Sequence, residues 1–187
     1  MGMDAGSTAA QIAAAAVVAA FTVAVVPLAG RRCLSLVTYS VASAATGAAA
    51  IHYGVVAEHF DEWWGFGLFF VASAVAQLVW AVVVVASRSR LLIWFGVIGN
   101  AAIVVLWIVT RTVGTLVGPE PARPEPIGLA DSVATAFEIT IVVAGIWLAW
   151  SVRMRPALSS RLAWVVSGVT LVLTSVALLS VLEVVRS

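Results

Sequence analysis

Six apolar runs, at about residues 8–29, 33–57, 63–87, 91–117, 129–151 and 162–184, constrain this chain more than any other feature. Each is long enough to cross a bilayer, which takes about 20 residues of helix. Backbone N–H and C=O groups need partners in hydrocarbon, so a spanning run is a helix or a strand of a closed barrel. No barrel-like alternation of polar and apolar residues appears, so helix is the expectation. Charged residues are only 10% of the chain, against about a quarter in a soluble domain. The expected fold class is an all-α, polytopic membrane helix bundle with six transmembrane helices. Residues 1–187 leave no room for a second domain, so a single transmembrane domain is expected.

Charge sets the expected orientation. Arg31, Arg32, Arg88, Arg90, Arg153, Arg155 and Arg161 fall in three alternate connections, and the chain has no lysine. The positive-inside rule puts those connections in the cytoplasm and both termini on the extracytoplasmic side. All nine acidic residues then lie toward the outer face: Asp4, Glu58, Asp61, Glu62, Glu120, Glu125, Asp131, Glu138 and Glu183. The first run lacks the basic front of a signal peptide and is followed by Arg31 and Arg32, so it reads as a retained helix. A multi-pass protein of the cell (plasma) membrane is expected, with the lipid bilayer as its surroundings. No basic patch for nucleic acid is present. The single Cys33 excludes an internal disulfide framework.

The connection 118–128 carries four prolines, which favour a stiff, extended segment that forms a rim or simply stops two helices. Gly114 and Gly118 have the small-xxx-small spacing of close helix contact, as do Ser40, Ala44 and Ala48. Trp63, Trp64, Trp94, Trp147, Trp150 and Trp164 sit near helix ends as interfacial residues do. Trp80 and Trp107 lie deeper and need another account.

The informative residues are those that cost energy in lipid. An ionisable side chain at mid-helix costs on the order of 2.5–3.5 kcal/mol on insertion scales, so such groups normally face the bundle interior. His52 and His59 are seven residues apart, two turns along one face, with Glu58 and Glu62 flanking His59. Asp131 and Glu138 repeat the spacing on the fifth run. Asp131 is placed to cap that helix, whereas Glu138 lies about 10 Å deeper, near the depth of His52. On the fourth run Asn100, Trp107 and Arg111 share a face, and Arg111 can pair with Glu138 or with Asp131. Gln77 adds a neutral polar group on the third. Three polar faces at one depth imply a pocket open to the outside.

Imidazole with carboxylate suits one divalent transition metal, zinc, copper or iron. The expected ligands are His52, His59, Glu138 and Asp131. Arg111, Glu58, Glu62, Asn100 and Trp107 are the expected ligand-binding or ion-pairing residues. The same groups suit proton transfer. Two histidines on one helix cannot sandwich a haem, so no haem is expected. No phosphate-binding glycine loop, zincin motif or Cys-x-x-Cys occurs.

Glu58-His59-Phe60, Glu62-Trp63-Trp64 and Gly67-Leu68-Phe69-Phe70 form one patterned stretch. Gly99-Asn100, Leu106-Trp107, Arg111-Thr112-Val113-Gly114 and Gly118-Pro119-Glu120-Pro121 form another, continued by Gly128 to Asp131 and Glu138. In these the chain resembles small multi-spanning membrane proteins of high-GC Gram-positive bacteria. The resemblance covers the second to fifth runs. It implies that the polar positions belong together, and it supplies no activity.

Three readings stand open. One is a metal- or ligand-binding membrane protein, with a metalloenzyme as its extension. The second is an accessory or structural subunit, alone as a homo-oligomer or with a membrane-complex partner. The third is a proton-coupled transporter. The sequence does not decide whether the chain is an enzyme.

Overall fold

The computed structural model describes residues 5–29, 35–87, 89–150 and 158–186. Asp4, Arg31, Arg32, Cys33, Arg88, Arg153 and Arg155 lie outside the described residues, as does the side chain of Glu183. The described chain is helical, and the helices are α1 (Ala5–Ala29), α2 (Leu36–Gly54), α3 (Val56–Glu62), α4 (Trp64–Ala86), α5 (Arg90–Thr112), α6 (Leu129–Trp150) and α7 (Ser160–Arg186). Four of them, α4, α5, α6 and α7, are long and apolar enough to cross a membrane; α2 and α3 meet the same measure only when joined across a 44° bend, as a broken span or a re-entrant pair, which makes up to five. The helix α1 adds 25 residues with an apolar stretch at Gln11–Ala24.

The long helix richest in small residues is the most enclosed. Fifteen of the nineteen residues of α2 are buried, and α1, α4, α6 and α7 pack around it. Between apolar helices in lipid, close packing and interhelical hydrogen bonds hold the contact, so small residues belong at the centre. The Ala-, Ser-, Thr- and Gly-rich sequence of α2 supplies them. Gly47 is one such point: a Cβ there would stand 2.7 Å from the Phe137 ring and 2.9 Å from Thr170 Cγ2. On the α7 side, Ser43 and Thr170 hydroxyls meet at 2.9 Å and Tyr39 meets Ser167, each replacing a polar group that would otherwise face hydrocarbon.

The boundaries differ from expectation at two places. The run expected to end near residue 57 bends at Val55 and continues as α3, so 58–62 is helix rather than a loop. The run expected to reach residue 117 stops at Thr112. Gly114 and Gly118 adopt φ values of +95° and +112°, a region disfavoured for residues with a Cβ. They therefore turn the chain, and do not form the helix contact their spacing implied. Apolar Val113, Leu116 and Val117 had masked that stop.

The 113–128 segment folds back over the α3 end of the bundle. Ala122 N–H donates to Thr115 O at 2.8 Å, and Glu125 N–H donates to Thr110 O at 3.0 Å. Gly114 lies so close to the Ala122–Arg123 backbone that a Cβ would collide with it. We expect Gly114→Ala to cost about 1–2 kcal/mol from its backbone conformation alone. The checks are the unfolding midpoint in detergent and faster proteolysis of the 113–128 segment.

Candidate functional site

The site lies where α4 and α5 part. Away from α3 the two helices are locked together. The Trp80 indole lies flat against Gly96 and donates from Nε1 to Leu92 O at 2.7 Å. One turn nearer α3, Gln77 Nε2 donates to Asn100 Oδ1 at 3.0 Å, and Asn100 Nδ2 donates to Gly96 O at 2.8 Å. Up to that level α5 buries Ile93, Gly96, Val97 and Asn100, the spacing of one helix face. Beyond Asn100, from Ala101 to Thr112, no residue of α5 is buried. The same face runs on through Ile103, Trp107 and Arg111, but it now looks into a cavity of about 430 Å³.

Aromatic rings form one wall of this cavity: Phe66, Phe69 and Phe70 from α4, with Trp63 at its start and Trp107 opposite on α5. The deep polar end is His52 of α2 with Glu138 of α6. Their contact, Nε2 to Oε1, is 2.9 Å, and the residues are 5% and 1% exposed. Gln77 Nε2 places its second hydrogen on the same Glu138 oxygen at 3.3 Å. Four helices thus contribute one buried chain, His52–Glu138–Gln77–Asn100, ending on a backbone carbonyl. Both donors to Glu138 fall on Oε1, leaving Oε2 without a hydrogen bond among the described residues.

The rim is a second cluster. Arg111 reaches Glu125 from the 113–128 segment and Asp131 from α6. Asp131 Oδ2 also accepts from Gly128 N at 3.3 Å, so this carboxylate caps α6 while holding the guanidinium. The Arg111 Cζ stands 5.8 Å from the Trp107 ring centroid. Gly118 packs on Phe66, which brings the folded-back segment down on the aromatic wall.

His52, Glu138, Asp131, Arg111, Trp107 and His59 all line the cavity, and Asn100 joins it through Gln77. Of the two expected partners for Arg111, the structure gives Asp131 and not Glu138. Glu125, which the sequence left unassigned in a proline-rich connection, is the other. Glu62 is exposed on α3 and does not line the cavity. Glu58 does not line it either. Trp80 and Trp107 find their account in the lock and the wall.

The expected metal set does not assemble. The bend at Val55 turns His59 so that its Nδ1 donates to Val55 O at 2.8 Å. The Phe70 ring stands against both imidazoles, with centroids 3.8 Å from His59 and 5.4 Å from His52. Asp131 is bound to Arg111. Among the described residues no three His, Cys, Asp or Glu side chains gather as a metal centre. His52 and Glu138 alone supply two donors, where structural and catalytic zinc sites use four or three.

No family model, curated protein or solved structure matches this chain. The geometry must therefore carry the functional argument. An apolar, aromatic cavity with a few convergent polar groups is the usual form of a small-molecule site, and 430 Å³ lies within the usual range of about 300–1,000 Å³. Its opening reaches the apolar flank of the bundle. Leu106 lines the cavity yet is 41% exposed, six residues or about 9 Å of helical rise below the end of α5. A mouth at that depth faces the side of the bundle as well as its end.

Proposed function

We propose that this chain is a plasma-membrane protein whose cavity holds one small, apolar-bodied ligand taken from the outer leaflet. The splay of α4 and α5 carries this reading. The helices are sealed at one end by Trp80 on Gly96 and parted at the other, with Leu106 at an exposed lip. The positive-inside pattern of the arginines puts the parted end outside and both termini with it, with α1 as the first of six crossings. A ligand with an apolar body would move between the tails of the outer leaflet and the aromatic wall without crossing water. Its polar end would meet His52 and Glu138.

Two observations favour binding over the other readings. A metal held by His52 and Glu138 would need further ligands from outside the described residues. A carrier would need a route past Asn100, where the amide chain ends on Gly96 O beneath the Trp80 indole.

Saturable photolabelling tests the proposal. A neutral, apolar probe, a phenyl diazirine, is bound to the protein in nanodiscs and crosslinked with and without excess unlabelled probe. Displaceable label is expected on Phe66–Phe70 and Ile103–Trp107, above unsaturable label on lipid-facing Phe95 and Ile98. Ile103→Trp, which places an indole in the cavity from a half-buried position, should lower the displaceable label roughly ten-fold, the factor that about 1.4 kcal/mol of lost binding gives. Label that no competitor displaces would remove the binding reading.

A further inference from the structure

Resting on that binding reading, we infer that the ligand is a lipophilic amine, an apolar or aromatic body carrying one protonated nitrogen. Three carboxylates line the cavity, Glu125, Asp131 and Glu138, against one guanidinium, Arg111. With His52 and His59 neutral two carboxylates are in excess, and the lining reaches balance only when both imidazoles carry a proton. The guanidinium is already committed, with Nη1 on Glu125 and Nη2 on Asp131. Its Nε, like Trp107 Nε1, is sealed from solvent without a partner. An anion would find only that Nε–H and the Trp107 Nε1–H without partners, and it would meet them beside three carboxylates.

A cation finds its partner in place. Glu138 is 1% exposed, lines the cavity, and takes both of its donors on Oε1. Its Oε2 is an acceptor without a donor, held by Gln77 and His52 in surroundings where a lone carboxylate oxygen is costly. An ammonium N–H at that oxygen would supply the missing donor and the missing charge together. The walls suit the same ligand, since the faces of Phe66, Phe69, Phe70 and Trp107 attract a cation within about 6 Å of a ring centroid. An aromatic body packs on those rings as well.

Three probes of one shape and different charge test the inference: 2-(1-naphthyl)ethylamine, 2-(1-naphthyl)ethanol and 1-naphthaleneacetate. Each is measured at neutral pH by equilibrium dialysis against protein in nanodiscs of zwitterionic lipid, with empty nanodiscs subtracted. The amine is expected to bind at least about ten-fold more tightly than the alcohol, the factor that one desolvated cation–π or charge-assisted contact of about 1.4 kcal/mol gives. The acetate should bind weakest. Glu138→Gln keeps the shape and removes the charge, so it should erase the preference for amine over alcohol while the alcohol still binds. Equal binding of amine and alcohol to the unmodified protein overturns the inference and leaves the cavity reading standing. Preference for the acetate overturns it in favour of recognition by Arg111. Absence of binding by all three overturns both. The comparison on the unmodified protein decides the question of charge even where Glu138→Gln costs folding.

Discussion

Replacing His52 with alanine is expected to destabilise the bundle by about 1–3 kcal/mol, the cost of removing one partner of a buried hydrogen bond. The contact it removes lies at 5% and 1% exposure. Gln77 alone would remain to serve that carboxylate, and its Nε2 is shared with Asn100. The loss should pass along the chain and loosen the Gln77–Asn100 contact that joins α4 to α5. Removing both partners is a different experiment. A His52→Leu/Glu138→Met double substitution should recover most of the loss, because apolar residues of similar volume often replace a buried pair without net cost. Unfolding in mixed micelles, followed by helical circular dichroism, measures all three proteins. A His52→Ala protein within about 1 kcal/mol of the original would mean that the pair is not formed in the folded state. The double substitution also separates architecture from recognition: it should fold and yet lose the preference for the amine probe.

Helix content was readable because each spanning run must satisfy its backbone internally, whatever surrounds it. Depth was readable for the same reason. A constant rise per residue put Glu138 near the depth of His52, and the structure joins those two, with Gln77 and Asn100 beyond them, in one hydrogen-bonded chain. Periodicity gives the face of one helix but not how that face is turned against its neighbours. Both Asp131 and Glu138 therefore stood as partners for Arg111, and only packing chose Asp131. Glu125 had no period at all, being held by turns at Gly114, Gly118 and Ala122 that no helical pattern announces. The expected metal ligands do not gather among the described residues, for a related reason. Seven-residue spacing aligns His52 and His59 only on a straight helix, and the bend at Val55 brings Phe70 against both rings.

Small residues were legible in α2 and misread after α5, though the spacing is the same. Ala44 and Ala48 are buried in the centre of the bundle, as close helix contact requires. Gly114 and Gly118 serve a turn. The difference lies in the residues between and after them. The proline-rich stretch from Pro119 onward cannot continue a helix, and a glycine shortly before such a stop is more useful as a left-handed turn residue.

Gly96 carries the second large expected effect. A side chain at this position would occupy the space of the Trp80 indole, so Gly96→Val must expel a buried ring or push α5 away from α4. Overpacking typically costs about 1–3 kcal/mol. The lost Nε1–H bond to Leu92 O adds about 0.5–1.5 kcal/mol. A net destabilisation of about 2–4 kcal/mol is expected by micelle unfolding. Trp80→Ala, a large-to-small change in a packed core, should cost about 3–5 kcal/mol alone. The double substitution makes room for the valine, so the two losses should fall short of additivity by about 0.5–3 kcal/mol, the range for residues in contact. Strict additivity would show that the indole does not lie on Gly96. The functional readout follows from the geometry. The splay needs a closed end to hinge against, and Gly96 with Trp80 is that end. Displaceable photolabel confined to Phe66–Phe70 and Ile103–Trp107 in the original protein should spread toward Leu92 in Gly96→Val, because the floor that stops the ligand at Asn100 has been lifted.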